Sequence, residues 1–413
     1  MNRIDKLIKE ICPDGVEYKQ LGCLGSFENI GVDKKSVDGE EEIKLLNYMD
    51  VYNNKYIDSS ITSMIVTASE SKIKHCTVEQ GDIFITPTSE TKDDIGHAAV
   101  IIENLEKTCY SYHIMRFRLF QKNMITSFYI RYLFRSKIIQ EQIDKLAQGM
   151  TRFGVSKYKF AEIKIPIPPM EVQKEIVNIL DKFVELEAEL EAELEARKIQ
   201  YEFYRGKVLN NDNFESKIVA IKDITLKINN ISWKNIEKKL QYIDLTSVSR
   251  ENNTIIETNT IDKDTAPSRA RQIVQTNDVI FGTTRPMLRR ICLIDERYNN
   301  QICSTGYCVL RCDITKILPR YLYYEMTTEE FYRFVEDNQR GASYPSISDF
   351  DLKKYEFMLP SLDDQQRIVN ILDKFDILTN DISEGIPAEI ELRRKQYDYY
   401  RNKLLTFEEI SYE

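Results

Sequence analysis

The chain has 413 residues, 42% hydrophobic and 30% charged, a globular composition with apolar mass for two cores rather than one. No apolar run approaches the ~18–20 residues of a helical bilayer span, and Met1–Glu10 alternates charges with aliphatics instead of forming a signal-peptide core, so a cytoplasmic protein with reduced cysteines is expected. The formal charge of −9 does not exclude nucleic acid, because Glu185, Glu187, Glu189, Glu191, Glu193 and Glu195 crowd one stretch and binding depends on where Lys and Arg cluster.

In chain order, residues 1–168 read as a mixed α/β lobe. Short apolar or alternating runs at Val16–Leu21, Ile43–Met49, Asp82–Ile85, Ala98–Ile102 and Ile114–Leu119 predict strands, and Phe128–Ala147 predicts a helix. The turn Gly149-Met-Thr-Arg-Phe153 then leads to a strand at Ile163–Ile167. Residues 169–211 predict one long helix. Pro168-Pro169 cannot continue a helix and suit a start just beyond them. Ile176, Ile179, Phe183, Leu186, Leu190 and Leu194 recur at spacings of three and four, and Tyr201, Tyr204 and Val208 prolong the stripe. Helices of about 40 residues are typical of coiled-coil pairing.

Residues 212–360 form a second lobe. Its turn Gly341-Ala-Ser-Tyr-Pro345 precedes a strand at Tyr355–Leu359. Cys303, Cys308 and Cys312 cluster without a CxxC pair or a nearby histidine, so they read as buried strand thiols and no metal site is expected. Trp233 reads as core, Tyr344 beside Gly341 as a ring that stacks or packs, with core packing favoured, and His75, His97 and His113 as strand or turn residues. In residues 361–413, Ile368, Ile371, Phe375, Leu378 and Ile382 repeat the helical stripe. Gly385-Ile-Pro387 must break or kink that helix before it resumes towards Leu404.

The chain is an internal repeat. Ile176-Val-Asn-Ile-Leu-Asp-Lys-Phe183 recurs letter for letter as Ile368–Phe375, a shift of 192, and Pro168, Gln173 and Gly149 answer Pro360, Gln365 and Gly341. Gln200-Tyr201, Tyr204-Arg205, Lys207 and Leu209 answer Gln396-Tyr397, Tyr400-Arg401, Lys403 and Leu405 at a shift of 196, as Gly81-Asp-Ile-Phe84 answers Asn277-Asp-Val-Ile280. Tyr129 and Tyr132 are answered by Tyr321 and Tyr324. The order is lobe, helix, lobe, helix, with similar helices and divergent lobes. This is a pseudo-two-fold α/β (mixed α+β) repeat whose two long helices pair most simply as an antiparallel coiled coil.

Three features resemble the specificity subunits of type I restriction–modification enzymes. They are Cys12-Pro-Asp-Gly-Val-Glu17, the paired proline-to-Ile-Leu-Asp segments at 165–181 and 359–373, and the repeat Leu186-Glu-Ala-Glu, Leu190-Glu-Ala-Glu, Leu194-Glu-Ala-Arg197. The resemblance covers the whole chain. It implies two target-recognition domains, each reading half of a bipartite, asymmetric site in double-stranded DNA, with helices that fix their separation and dock two modification (methylase) subunits. It further implies that S-adenosylmethionine belongs to the methylase partner, and ATP and magnesium to restriction subunits, with no cofactor on this chain.

The motifs agree with a subunit lacking catalysis. Ile167-Pro-Pro-Met170 lacks the acid or amide of an adenine-methylase motif, and Gly25-Ser-Phe-Glu-Asn-Ile-Gly31 has neither the spacing nor the lysine of a phosphate loop. Glu42-Ile-Lys44 and Glu162-Ile-Lys164 echo one arm of a nuclease metal site, a triplet common at this charge density. A free-standing methyltransferase or nuclease is therefore disfavoured. An adaptor with two peptide-binding lobes fits the composition equally well, and sequence-specific DNA binding separates the two. Groove reading favours arginine. The candidate DNA-binding residues are Arg269, Arg271, Arg285, Arg289 and Arg290 in the second lobe and Lys72, Lys74 and Arg152 in the first.

Overall fold

In the computed structural model, which describes residues 3–209, 215–250, 252–380 and 385–410, each lobe closes by pairing its first strand with its last. Glu17–Gln20 runs antiparallel to Lys164–Ile167, and Ser216–Ala220 antiparallel to Glu356–Pro360. Contacts divide the chain into two units, Met1–Ala188 with Leu392–Glu413, and Glu189–Glu391. The helix Met170–Leu209 therefore belongs partly to each.

The first unit is built on a five-stranded sheet in the order Gly25–Glu28, Met115–Leu119, Ile83–Ile85, Ala98–Ile101, Tyr56–Ile57. Alternate side chains point to opposite faces. Ile83, Ile85, Val100 and Phe117 join the core that also holds Tyr129, Leu133 and Ile139, while Phe84, Ala99 and Ile101 pack with a three-stranded sheet through Ile43, Leu45 and Val66. Burial on both faces explains why the inner strands read as unbroken apolar runs. The second unit repeats this with two four-stranded sheets. Val279 and Phe281 face one core, Ile280 and Val309 the other. Cys303, Cys308 and Cys312 are buried strand residues, burial pushing the Cys312 thiol up to about 12.

The predicted helix Phe128–Ala147 is two helices, Ser127–Phe134 and Lys137–Leu146. Ser136, whose hydroxyl donates to the Leu133 carbonyl at 2.6 Å, adopts extended backbone between them. The predicted strand Ile43–Met49 stops at Leu46 because Asn47 caps a new helix, its side chain accepting from Asp50 N while Asp50 accepts from Asn47 N. Gly15 of the opening motif sits at φ +92°, and a Cβ there would come 2.4 Å from the Glu408 carbonyl, to which Val16 N donates at 2.8 Å.

The long helix spans 40 residues from Met170, just after the proline pair. Its first turns bury Val172, Ile176 and Leu180 in the first lobe's core, and the second copy buries Ile368, Val369 and Leu372. Each buried aliphatic stabilises by roughly 1.5–3 kcal/mol. The single predicted stripe merges this lobe-facing row with a helix-facing one. Phe183 stacks on Tyr400 at 5.5 Å with Tyr397 at 6.4 Å, and Arg394 Nε donates to Glu187 at 2.6 Å, so these segments of the first unit run antiparallel. The repeat-equivalent Phe375 stacks on Tyr201 and Tyr204, both at 6.1 Å. Ile179, Leu190 and Leu194 are half-buried. Leu186 and Ile371, expected in the paired stripe, are instead 44% and 45% exposed, because the helix turns them away from both rows. In the second copy the described residues form the helices Leu362–Asn380 and Ile386–Leu404, with Gly385 of the expected break just outside the latter, and Ile382 lies outside the described residues.

The repeat extends to buried polar groups. Gln173 donates to the Pro168 and Met124 carbonyls, both at 2.8 Å, and accepts from Thr126 N at 3.0 Å. Gln365 donates to the Pro360 and Lys316 carbonyls at 2.9 and 3.1 Å and accepts from Leu318 N at 2.9 Å. The Tyr132 hydroxyl donates to Asp181, and that of Tyr324 to Asp373 at 2.5 Å.

Glu325 in the second core is 3% exposed and accepts from the Tyr355 hydroxyl at 3.2 Å. Burial pushes its carboxyl up to about 7 from an ordinary 4.5. Between those values the folded chain binds more protons than the unfolded one, so this group's contribution is full below 4.5 and falls as pH rises to 7. Glu325→Gln keeps an acceptor for Tyr355. It is expected to raise stability at alkaline pH by up to about 3 kcal/mol and to flatten that slope in denaturant titrations. A slope identical to the parent's would exclude this assignment.

Candidate nucleic-acid interface

In each lobe one buried ion pair holds the start of a central strand. Asp82 accepts from Arg118 Nε and Nη2, both at 2.6 Å, and Asp278 accepts from Arg311 at 2.9 and 2.7 Å. The chain enters each strand through a positive φ, +90° at Gly81 and +69° at Asn277. At the other end of the strand it leaves into a loop that reaches solvent at Glu90 in the first lobe and Arg285 in the second, and a second loop, distant in sequence, binds that loop through main-chain bonds. In the first lobe Phe153 and Gly154 pair with Ser89 and Thr88. In the second, Thr284 bridges Ser346, and Arg285 N donates to the Pro345 carbonyl at 2.7 Å. The second loops start at Gly149 and Gly341, with φ of +141° and +100°.

The side chains on these equivalent frames differ. In the second lobe Arg285 is exposed, in left-handed backbone, with its guanidinium 4.4 Å from the Tyr344 ring. Tyr344 is 70% exposed rather than core, because the turn at Gly341 carries residues 341–344 into solvent. Arg340 is exposed beside it, 4.0 Å from Asp351. Arg269 joins the same end of the lobe, its carbonyl accepting from Thr305 in the turn whose Gly306 carbonyl binds Thr283 N. Arg290 is half-buried. Arg271 is exposed on the strand Ala270–Ile273, its Nε on the Ser268 carbonyl at 2.9 Å. Arg289 is tied elsewhere, donating to both Glu329 oxygens at 2.6 and 3.0 Å and lying 4.3 Å over the Tyr332 ring.

In the first lobe Arg152 is exposed and donates to Thr88 Oγ1 at 3.2 Å. It borders a concavity of about 460 Å³ with Tyr48, Met49, Tyr52, Ser89 and Asp94. Asp94 accepts from Ser89 at 2.7 Å, His97 Nε2 at 2.9 Å and Tyr52 at 3.1 Å. Burial raises the Asp94 carboxyl, yet those three donors outweigh it and hold it below the ordinary value. Burial and then the Arg135 charge lower His97, which is neutral near pH 7 and donates to Asp94. Lys72 and Lys74 are exposed on the helix Glu70–His75, with Lys74 paired to Glu70 at 2.6 Å. That helix runs into Thr77, bound by Arg118 at the Asp82 end of the central strand, so the two lysines are not brought to Arg152. His75 ends this helix rather than a strand or turn. Trp233 is half-buried and donates to the Ala270 carbonyl at 2.8 Å.

Sequence reading missed Arg340, Tyr48, Tyr52, Asp94 and His97 as members of these surfaces. Arg340 had a signal, since it directly precedes the turn glycine. The Tyr52–Asp94 contact joins residues 42 apart and had none.

A family model described as the type I restriction modification DNA specificity domain matches residues 13–197 and again 213–392. The Escherichia coli type I restriction enzyme EcoR124I/EcoR124II specificity subunit is 30% identical over 281 residues, 62% of this chain and 66% of that subunit. Solved structures share the fold at low identity. A chain from a structure of the assembly and conformational transition of the type I R-M system superposes with TM-score 0.65 at 14% identity, covering 95% of this chain and 98% of that one. The HsdS subunit from Thermoanaerobacter tengcongensis gives 0.51 at 15% identity, covering 96% and 97%. Two matched domains, two lobes on paired helices and the same fold across both lead to one assignment: this chain belongs to the type I restriction–modification DNA specificity family.

Proposed function

We propose that this chain is the DNA-sequence-specificity subunit of a type I restriction–modification enzyme and has no catalysis of its own. Each lobe reads one half of a bipartite, asymmetric site in double-stranded DNA in the cytoplasm. The helices fix the half-site spacing and dock two methylase subunits and the restriction subunits. S-adenosylmethionine is held by the methylase partner, and ATP and magnesium by the restriction partner.

The observation that carries this reading is one main-chain frame bearing two chemistries. The paired loops offer Arg285 on Tyr344 in the second lobe, and Arg152 beside a pocket of Tyr48, Tyr52 and Asp94 in the first. Common geometry with unlike side chains suits two unlike half-sites, since main chain positions and side chains specify.

With the methylase subunit present, Arg285→Ala is expected to cost ~1–3 kcal/mol of binding, lost mainly at one half-site if the contact is a bidentate pair with a base. A loss uniform across sequences, with a shallower salt dependence, assigns the contact to phosphate. Unchanged affinity would remove Arg285 from the interface. The purified chain alone is expected to neither methylate nor cut DNA, and turnover by it would refute the non-catalytic assignment.

A further inference from the structure

The two loops that leave the central strands differ in charge. Residues 86–97, between the paired Ile85 and Ala98, hold Glu90, Asp93 and Asp94 against Lys92. Residues 282–290, between Phe281 and Ile291, hold Arg285, Arg289 and Arg290 and no acid. The frame beneath is shared. Thr88 pairs with Gly154 as Thr284 pairs with Ser346, so Ser89 stands where the second lobe has Arg285.

Folding sorts the charges of the first loop. Lys92 is tied to Asp144 at 3.5 Å, while Glu90 and Asp94 line the concavity of about 460 Å³. The Asp94 side chain is 33% exposed. Its Oδ1 accepts from Tyr52 and His97 and its Oδ2 from Ser89, which leaves one acceptor position on Oδ2. Those donors hold the carboxyl ionised near pH 7, so it accepts and does not donate. Glu90 is exposed, with no hydrogen bond or ion pair among the described residues. The first lobe offers acceptors on the frame where the second offers the donors of Arg285.

Such acceptors have a narrow choice on duplex DNA. A carboxylate is repelled by phosphates, by guanine N7 and O6 and by thymine O4. The major-groove donors are the cytosine N4 and adenine N6 amino groups. Cytosine fits better, because adenine sets the acceptor N7 beside its amino group. Arg152, exposed at the rim, brings a cation to the neighbouring phosphates and offsets their repulsion of the two acids.

We infer that Glu90 and Asp94 read a base amino group, cytosine N4 ahead of adenine N6, so that the first lobe selects its half-site by accepting hydrogen bonds where the second donates them. The inference rests on the DNA reading proposed above and names the chemistry of one half of it.

The test uses the full chain with its methylase subunit. Methylated adenines mapped in a host expressing both give the site, and duplexes of that site are bound by the purified complex. Replacing one cytosine at a time by 2-pyrimidinone, or one adenine by purine, deletes a single amino group. At one position of one half-site this is expected to weaken wild-type binding roughly tenfold or more. Glu90→Ala and Asp94→Asn should each weaken binding to the intact duplex and lose much less on that same deletion, which separates the contact from a weakened base pair. The analogue that shows this pattern tells cytosine from adenine. Glu90→Ala removes no internal contact and carries the test if Asp94→Asn disturbs the concavity. Variants that lose as much as the wild type at every deleted amino group overturn the inference. A wild-type complex that binds no duplex specifically overturns the DNA reading beneath it.

Discussion

Replacing Asp278 with alanine is expected to destabilise the second unit by about 3–5 kcal/mol, the usual loss on removing one partner of a buried ion pair. The side chains of Asp278 and Arg311 are only 2% and 16% exposed. Alanine would leave the guanidinium without its counter-charge and the Gln275 N–H, which donates to Asp278 at 2.8 Å, without an acceptor. The Ile273 carbonyl, 3.2 Å from Arg311 Nη2, accepts one hydrogen bond but carries no balancing charge. The matching Asp82→Ala should cost less, because Arg118 is 30% exposed and keeps Glu79 at 2.7 Å. Denaturant melts of the two variants measure the difference. A loss below about 1 kcal/mol for Asp278→Ala would mean that water replaces the carboxylate.

Deleting Leu190–Glu193 is expected to bring the two methylated half-sites one base pair closer without changing either. The deletion removes one Leu-Glu-Ala-Glu unit from within the unbroken helix Met170–Leu209, so leucines still recur every four residues. Four residues turn a helix by about 400°, a net slip of roughly 40°, and shorten it by about 6 Å. Duplex DNA turns ~35° and rises ~3.4 Å per base pair. Rotation therefore gives about one base pair and length nearly two, and rotation decides, because a lobe held in a groove absorbs angular error poorly. Adjacent like charges at four-residue spacing disfavour this helix in isolation. Mapping methylated adenines in a host that expresses the shortened chain with its methylase checks the spacing. Full activity with an unchanged gap contradicts the spacer role.

What the sequence made legible was whatever rests on period and duplication. The long helix and the inner strands are set by regular apolar spacing, and the repeat located Gln173 with Gln365 and Tyr132 with Tyr324. Hidden features depend on single polar side chains or on direction. Ser136 interrupts a helix with one hydroxyl bond that an average over apolar positions overlooks. The Asn47–Asp50 capping box could have been read, since its spacing is local. Leu186 and Ile371 have the correct spacing yet face solvent, because period fixes that a stripe exists and only packing fixes where it points. At the candidate site, residue type found Arg285 and Arg289 alike. Only the folded chain separates them, by bringing Glu329 from 40 residues away onto Arg289 and leaving Arg285 on the open face.

The buried pair Gln173 and Gln365 carries a consequence for how such chains can be rebuilt. Every partner of Gln173 and Gln365 is a main-chain carbonyl or N–H, so each amide is satisfied whatever side chains the lobe carries. At these two amides the joint between lobe and helix is keyed to backbone shape, beside the side-chain packing of Val172, Ile176 and Leu180 and the Tyr132–Asp181 bond. A foreign lobe that presents two carbonyls and one N–H at those points meets the amide as well as the resident one does. Hybrid proteins cut at Pro168 or Pro360 therefore keep the glutamine contacts with any lobe of that backbone shape, and what the new lobe must still supply is a core for the helix aliphatics and a tyrosine for Asp181 or Asp373.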